Sequence, residues 1–434
     1  MANSSSLIIN QSNHLTGEIL IPGDKSITHR AIMLGSLSNG RLDIKNSLLS
    51  EDCKRTINAF TMLGVDITIN DKTISICGNG LNSLKPPSNI IDAGNSGTLA
   101  RLISGILSVQ KFDSSISGDY SLTQRPMKRI IDPLTAAGAN ISSNNNLMPI
   151  SFTQSTRLKV INYTSQIPSA QIKSCLILAS LFLEGKSTIK EAIKTRDHTE
   201  RMLQFFDYPI SIDDKTIFVE GNGIIAAKDI RIPSDISSAA FLIVGAIIKP
   251  DSNITLKSIG INPLRTGIID VLIEMGADIK MINHANMGNE PIADIIVRSS
   301  ILKPVNLSGD IISRLIDELP ILFIACACCE GVSLIKDIEE LRHKESDRIS
   351  SMEEGLISLG IKVESTNNSI KISGGSFKGG IVNSKSDHRV AMSFLIAGLV
   401  SQKPITIIDT DNINTSFPSF VDILRNQNNE IYDL

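Results

Sequence analysis

The chain has 434 residues, 42% of them apolar, which is more than one ordinary core serves and too apolar for disorder, so two domains are expected. A net charge of −3 gives no field to recruit nucleic acid or an anionic membrane, and the absence of Trp argues against a base-stacking platform. Six cysteines make no disulfide framework, Met1 to Ser6 lacks a basic segment followed by an apolar one, and no uncharged apolar run reaches the roughly 20 residues of a membrane span, so a cytoplasmic protein without nucleic-acid or membrane partners is expected.

Along the chain, the stretch up to Ile21 reads as two short strands that close the last structural unit. Apolar helices with polar starts follow at residues 25–37, 96–107, 170–183, 236–248, 315–328 and 389–400. After each comes a Gly, Lys, Pro or Ser break, a short strand such as 187–189 or 405–408, and an amphipathic helix such as 127–137 or 346–359. These second helices end on Gly64, Gly138, Asp207, Gly276, Gly360 and Asn428, each three residues or fewer before a strand. Gly, Asn and Asp are the residues that tolerate a left-handed helix end. The six positions recur at spacings of 74, 69, 69, 84 and 68 residues.

The pattern predicts six repeats of helix, strand, helix and strand, an α/β chain in two similar domains of three repeats each. A helix apolar all round belongs inside its domain, with sheets around it. The domain change is expected near Ile232-Pro233-Ser234, giving one domain over 22–233 and another over 1–21 plus 234–434. Residues 142–146 read as a turn or hairpin tip, and Cys326, Cys328 and Cys329 as buried small residues rather than a zinc site.

Polar residues gather at the starts of the apolar helices: Lys25-Ser26 with His29 and Arg30, Gly94 to Thr98, Ser169-Ala170-Gln171, Ser234-Asp235, Asp317-Glu318 and Asp387-His388-Arg389. Arg125, Arg196 with Arg201, and Lys344 with Arg348 precede or open outer helices. Helix starts present unpaired N–H groups and partial positive charge, favourable to phosphate and carboxylate. Converged, they would form a strongly cationic site for anionic small molecules. Each residue also has a structural use: Ser, Asn and Asp cap helices, Glu345, Asp347 and Arg348 could be an exposed charged face, and Gly94 and Gly97 could serve a turn.

Three segments carry a resemblance. Pro22-Gly23-Asp24-Lys25-Ser26-Ile27-Thr28-His29-Arg30, Gly94-Asn95-Ser96-Gly97-Thr98-Leu99-Ala100-Arg101 and Leu341-Arg342-His343-Lys344-Glu345-Ser346-Asp347-Arg348 resemble the signatures of 5-enolpyruvylshikimate-3-phosphate (EPSP) synthases. Arg125-Pro126-Met127, Ser169-Ala170-Gln171, Arg196 to Glu200, Ile316-Asp317-Glu318 and Asp387-His388-Arg389 agree in order, so the resemblance spans nearly the whole chain. It implies the enolpyruvyl transferase fold, two domains of three repeats with the active site in the cleft between them. It also implies transfer of the enolpyruvyl group of phosphoenolpyruvate to the 5-hydroxyl of shikimate 3-phosphate through a tetrahedral intermediate, with no metal or organic cofactor and a monomer as the acting species.

By the same resemblance, Lys25 meets both substrates, and Ser26, Arg30, Ser169, Ala170, Arg196 and Asp317 hold shikimate 3-phosphate, with Gln171 between the ligands. Gly97, Arg125, Arg348 and Arg389 hold phosphoenolpyruvate, with Asn95 and Lys344 in reach. Asp317 is assigned to the hydroxyl proton and Glu345 to the C3 proton. Lys25 completes the catalytic set.

The rival within the fold is UDP-N-acetylglucosamine 1-carboxyvinyltransferase, whose members carry Asn after the first Lys and a Cys in a mobile loop of the first domain. Here Ser26 follows Lys25, and no Cys lies between Cys77 and Cys175. Thr28 stands where the family often has Ser, which keeps the hydroxyl. Thr415 stands where some members place a Lys, which removes a cation. That change, with Lys173 after Gln171 and Arg196-Asp197-His198, leans to the family branch that is often less glyphosate-sensitive, whereas the retained Gly97 leans the other way, so intermediate sensitivity is expected.

Overall fold

A computed structural model describes residues 5–10 and 13–434. Met1 to Ser4, part of the segment read for a secretion signal, lie outside them. The chain divides into two units. The first comprises Gly23–Ile232 with Asn286–Glu290, and the second Met1–Pro22, Pro233–Ala285 and Pro291–Leu434.

Each unit carries three four-stranded sheets of one design. In the second repeat, Ile91–Asp92 runs parallel to Ser114–Ser117, which pairs antiparallel with Leu147–Thr153, itself paired with Asn140–Asn144. The parallel pair needs a crossover, and the apolar helix Gly97–Leu107 supplies it. The outer helix Lys128–Ala136 then leads into the hairpin. The repeat is thus strand, helix, strand, helix and a two-stranded hairpin, richer than the helix–strand–helix–strand pattern expected. Its edge strands escape periodicity because several, such as Ile91–Asp92 and Asn306–Leu307, are two residues long.

The N-terminal strands correct another expectation. Ser6–Ile9 closes the last repeat, between Ile405–Ile408 and Ile431–Asp433, but Thr16–Ile19 pairs with Asn253–Gly260 in the fourth. The reason is an exchange of edges. Ile230–Arg231, the strand shortly before the fourth apolar helix, pairs with Asn39–Lys45 of the first repeat, so the fourth takes its edge from the N-terminus.

The apolar helices form the cores. In Ile236–Ile248 every residue to Ile247 is buried, and Leu319–Ala327 is buried throughout. The helix expected over 315–328 is broken into Asp310–Leu315 and Leu319–Ala327. Pro320 explains the break: in a continuous helix its ring would meet the carbonyl of Ile316. Asp317 and Glu318 are thereby placed on a turn ahead of a buried helix.

The helix-end glycines and their substitutes behave as the repeat requires. Gly64, Gly138, Asp207, Gly276, Gly360 and Asn428 all have φ between 55° and 100°. Ser142 and Ser143 lie in a strand, and the hairpin turn itself is Asn145-Asn146, both at positive φ.

Candidate functional site

In the first unit, Lys25 opens the helix Lys25–Ser36 behind the cap Asp24, whose side chain accepts from Ile27 N at 2.8 Å. The Lys25 ammonium lies 3.1 Å from Asp52 Oδ2. Thr28 spends its hydroxyl on Asp24 O (2.8 Å) and takes Leu48 N, so the departure from Ser keeps the needed hydrogen bonds. His29 is wholly buried against Thr56, and burial pushes its pKa down to about 3, so it is a neutral core residue at ordinary pH. Arg30 is buried too. Its guanidinium donates to Thr199 Oγ1 (2.7 Å), Ser174 Oγ (2.8 Å) and Ser26 O (3.0 Å).

The helix starting at Gly97 is capped by Ser96 and that starting at Ala170 by Ser169, so both serines have the structural use as well. The two starts are joined: Gln171 donates to Thr98 Oγ1 (3.2 Å) and accepts from Arg101 Nη1 (3.1 Å). Arg125 is buried and donates through Nη2 to Asn95 Oδ1 (2.7 Å) and Ser121 Oγ (3.2 Å). Its Nε has no hydrogen-bond acceptor among the described residues. Gly97 lies beneath these tips: a Cβ there would sit 2.8 Å from Arg101 Nη1 and 3.2 Å from Arg125 Nη1. Arg196 is half-buried just ahead of the helix His198–Phe205.

In the second unit, Arg348 opens the helix Arg348–Ser358 and is almost wholly buried. Its Nε lies 2.8 Å from Asp387 Oδ2, its Nη2 2.5 Å from Glu345 Oε2 and its Nη1 3.7 Å from Asp317 Oδ1. Burial alone would pull its pKa down, but Asp387, Glu345 and Asp317 outweigh burial and hold it above the usual Arg value. Lys344 approaches Asp317 Oδ1 at 3.7 Å. Arg389 donates to Asp317 O (2.9 Å), and its own N–H goes to the cap Asp387.

The expected strongly cationic site needs correction here. Lys25, Lys344, Arg348 and Arg389 each meet a carboxylate, whereas Arg125 donates to an amide and a hydroxyl. Counting cations along the chain could not anticipate this pairing. Asp387, Arg101 and Asp52 stand out as positioning groups; Asp387 and Arg101 lie in segments that carry the resemblance, and Asp52 lies outside them. Glu318 also accepts from Ser237 and lies 3.9 Å from both Arg265 and Arg389.

Three repeats per unit, with buried helices whose polar starts meet, define an enolpyruvyl transferase fold. The enolpyruvyl transferase NikO from Streptomyces tendae shares the fold, with TM-score 0.80 over 100% of this chain and 99% of that one, at 15% identity. An EPSP synthase from Acinetobacter baumannii matches at TM-score 0.89 and 42% identity over 99% of this chain and 100% of that one. The 3-phosphoshikimate 1-carboxyvinyltransferase of Legionella pneumophila (strain Lens) is 48% identical over 408 residues, 94% of each chain. That of Ruthia magnifica subsp. Calyptogena magnifica is 48% identical over 421 residues, 96% of this chain and 97% of its own. The family model for EPSP synthase (3-phosphoshikimate 1-carboxyvinyltransferase) matches residues 9–424, and the chain belongs to this transferase family. Among the described residues no helix is long and apolar enough to cross a membrane.

Proposed function

We propose that the protein transfers the enolpyruvyl group of phosphoenolpyruvate to the 5-hydroxyl of shikimate 3-phosphate, releasing phosphate. The observation that carries the mechanism is Arg348, a buried guanidinium fixed by Asp387 with Asp317 and Glu345 both beside it. Two carboxylates gathered beside one cation suit an addition–elimination with two proton transfers. The hydroxyl oxygen attacks C2 of phosphoenolpyruvate as its proton passes to Asp317, while C3 gains a proton from Glu345. The tetrahedral intermediate then returns the C3 proton and expels phosphate. Arg348, Arg389 and Lys344 face the carboxylate and phosphate of phosphoenolpyruvate, joined by Arg125 and the N–H groups at Gly97.

Shikimate 3-phosphate is assigned to the first unit, at Ser26, Arg30, Ser169, Ala170, Gln171 and Arg196. The second unit supplies Asp317 to its hydroxyl. Lys25 neutralises charge on both substrates. The protein is proposed to act as a cytoplasmic monomer. Phosphate release from phosphoenolpyruvate with shikimate 3-phosphate tests the reading; no release with this acceptor refutes it.

A further inference from the structure

Lys173 lies one turn into the helix Ala170–Ser180, and its side chain is 3% exposed. Its three ammonium protons have three acceptors: Glu200 Oε1 at 2.7 Å, Glu191 Oε2 at 3.0 Å and Thr195 O at 3.1 Å. Both carboxylates are buried with it. Each buried ion costs several kcal/mol of desolvation, so such a cluster is poor value as mere packing and is better understood as fixing a geometry.

The geometry concerned is the segment that carries Arg196. Glu191 follows the strand Lys186–Lys190, and its Oε1 accepts both the N–H and the hydroxyl of Thr195. That carboxylate closes the turn 192–195 on itself while its other oxygen meets Lys173. Arg196 follows directly. Asp197 accepts from Arg201 at 2.9 Å, and Glu200 stands in the first turn of the helix His198–Phe205. Arg196 is thus bracketed by two acidic groups on one ammonium. That ammonium belongs to the helix whose start carries Ser169, Ala170 and Gln171. A parallel tie runs beside it, from Thr199 to Ser174 on the same two helices at 2.8 Å.

We propose that Lys173 and Glu191 are positioning residues that set the spacing between Arg196 and the start of the helix Ala170–Ser180, and so the affinity for the phosphate of the acceptor substrate. This rests on the assignment of Arg196, Ser169 and Ala170 to shikimate 3-phosphate. Neither residue touches substrate in this account.

The test uses the full chain with Glu191→Gln and Thr195→Val. In Glu191→Gln the amide can keep Thr195 with its oxygen but turns an NH2 toward the ammonium, which breaks the tie to Lys173. Thr195→Val preserves shape and removes only the hydroxyl link, which guards against a variant that fails to fold. The expected result is a KM for shikimate 3-phosphate raised about tenfold in Glu191→Gln and about threefold in Thr195→Val, with kcat and the KM for phosphoenolpyruvate within about twofold of wild type. A lowered melting temperature with unchanged KM for shikimate 3-phosphate in both variants would overturn the proposal. An equal rise in both KM values would overturn it too. Failure of the underlying assignment is distinguishable, because the wild-type protein itself would then release no phosphate with shikimate 3-phosphate.

Discussion

Arg348→Met is the most telling perturbation of the second unit. Arg348 is 1% exposed and its partner Asp387 0%, with contacts of 2.8 Å from Nε to Oδ2 and 3.4 Å from Nη2 to Oδ1. Removing one member of a buried pair leaves the other charge without compensation, at about 3–5 kcal/mol. Glu345 also loses its partner, but its side chain is 26% exposed and can turn to water, so it adds little. For a body of roughly 200 residues, a loss of that size lowers the melting temperature by about 6–20 °C. Adding Asp387→Asn removes the stranded charge, keeps Oδ1 for the Arg389 N–H and turns an NH2 toward the Ser346 hydroxyl, which can accept from it. The double variant should therefore recover more than half of the loss. Neither variant should turn over, since Arg348 is also placed against phosphoenolpyruvate. Melting followed by far-ultraviolet circular dichroism on wild type, both singles and the double completes the cycle. Arg348→Met melting within about 2 °C of wild type would refute the reasoning, as would a double variant no more stable than Arg348→Met alone.

Lys25→Ala should abolish measurable turnover while costing only about 1–3 kcal/mol of stability, since its partner Asp52 keeps some access to water; a collapsed fold would assign Lys25 a structural role instead. His29, with a pKa of about 3 in the fold and about 6.5 unfolded, leaves the unfolded chain binding the extra proton between those values. Stability should therefore climb with pH from about 3 to 6.5, and a denaturation series in which His29→Gln keeps that slope would contradict the assignment. Gly97→Ala pushes a methyl against Arg101 and Arg125, so the KM for phosphoenolpyruvate should rise severalfold and glyphosate inhibition weaken further. In the wild-type protein glyphosate should compete with phosphoenolpyruvate at intermediate strength, and nanomolar or absent inhibition would reject this.

The repeat was legible because it rests on backbone chemistry. A helix that must turn sharply into a strand needs a left-handed residue, and Gly, Asn and Asp mark those places in plain view. Apolar helices without a polar face likewise announced the cores. Edge strands did not, because two residues such as Ile230–Arg231 carry no period, and their partner is chosen by the sheet they complete. The break at Ile316–Glu318 could have been read from Pro320, whose effect on the preceding carbonyls is local. In the site, the positions of charged groups were readable but their pairings were not. Lys173 follows the Ser-Ala-Gln segment by only two residues, yet Glu191 and Glu200, 18 and 27 positions further along the chain, reach it only through folding. Only the folded chain distinguishes Arg348, ringed by carboxylates, from Arg125, held by an amide and a hydroxyl.

The central claim is the choice of acceptor. Phosphate release from phosphoenolpyruvate should be measured on the full chain with shikimate 3-phosphate and, in parallel, with UDP-N-acetylglucosamine. The account predicts release with shikimate 3-phosphate and none above background with the aminosugar; the reverse, or silence with both, would contradict it.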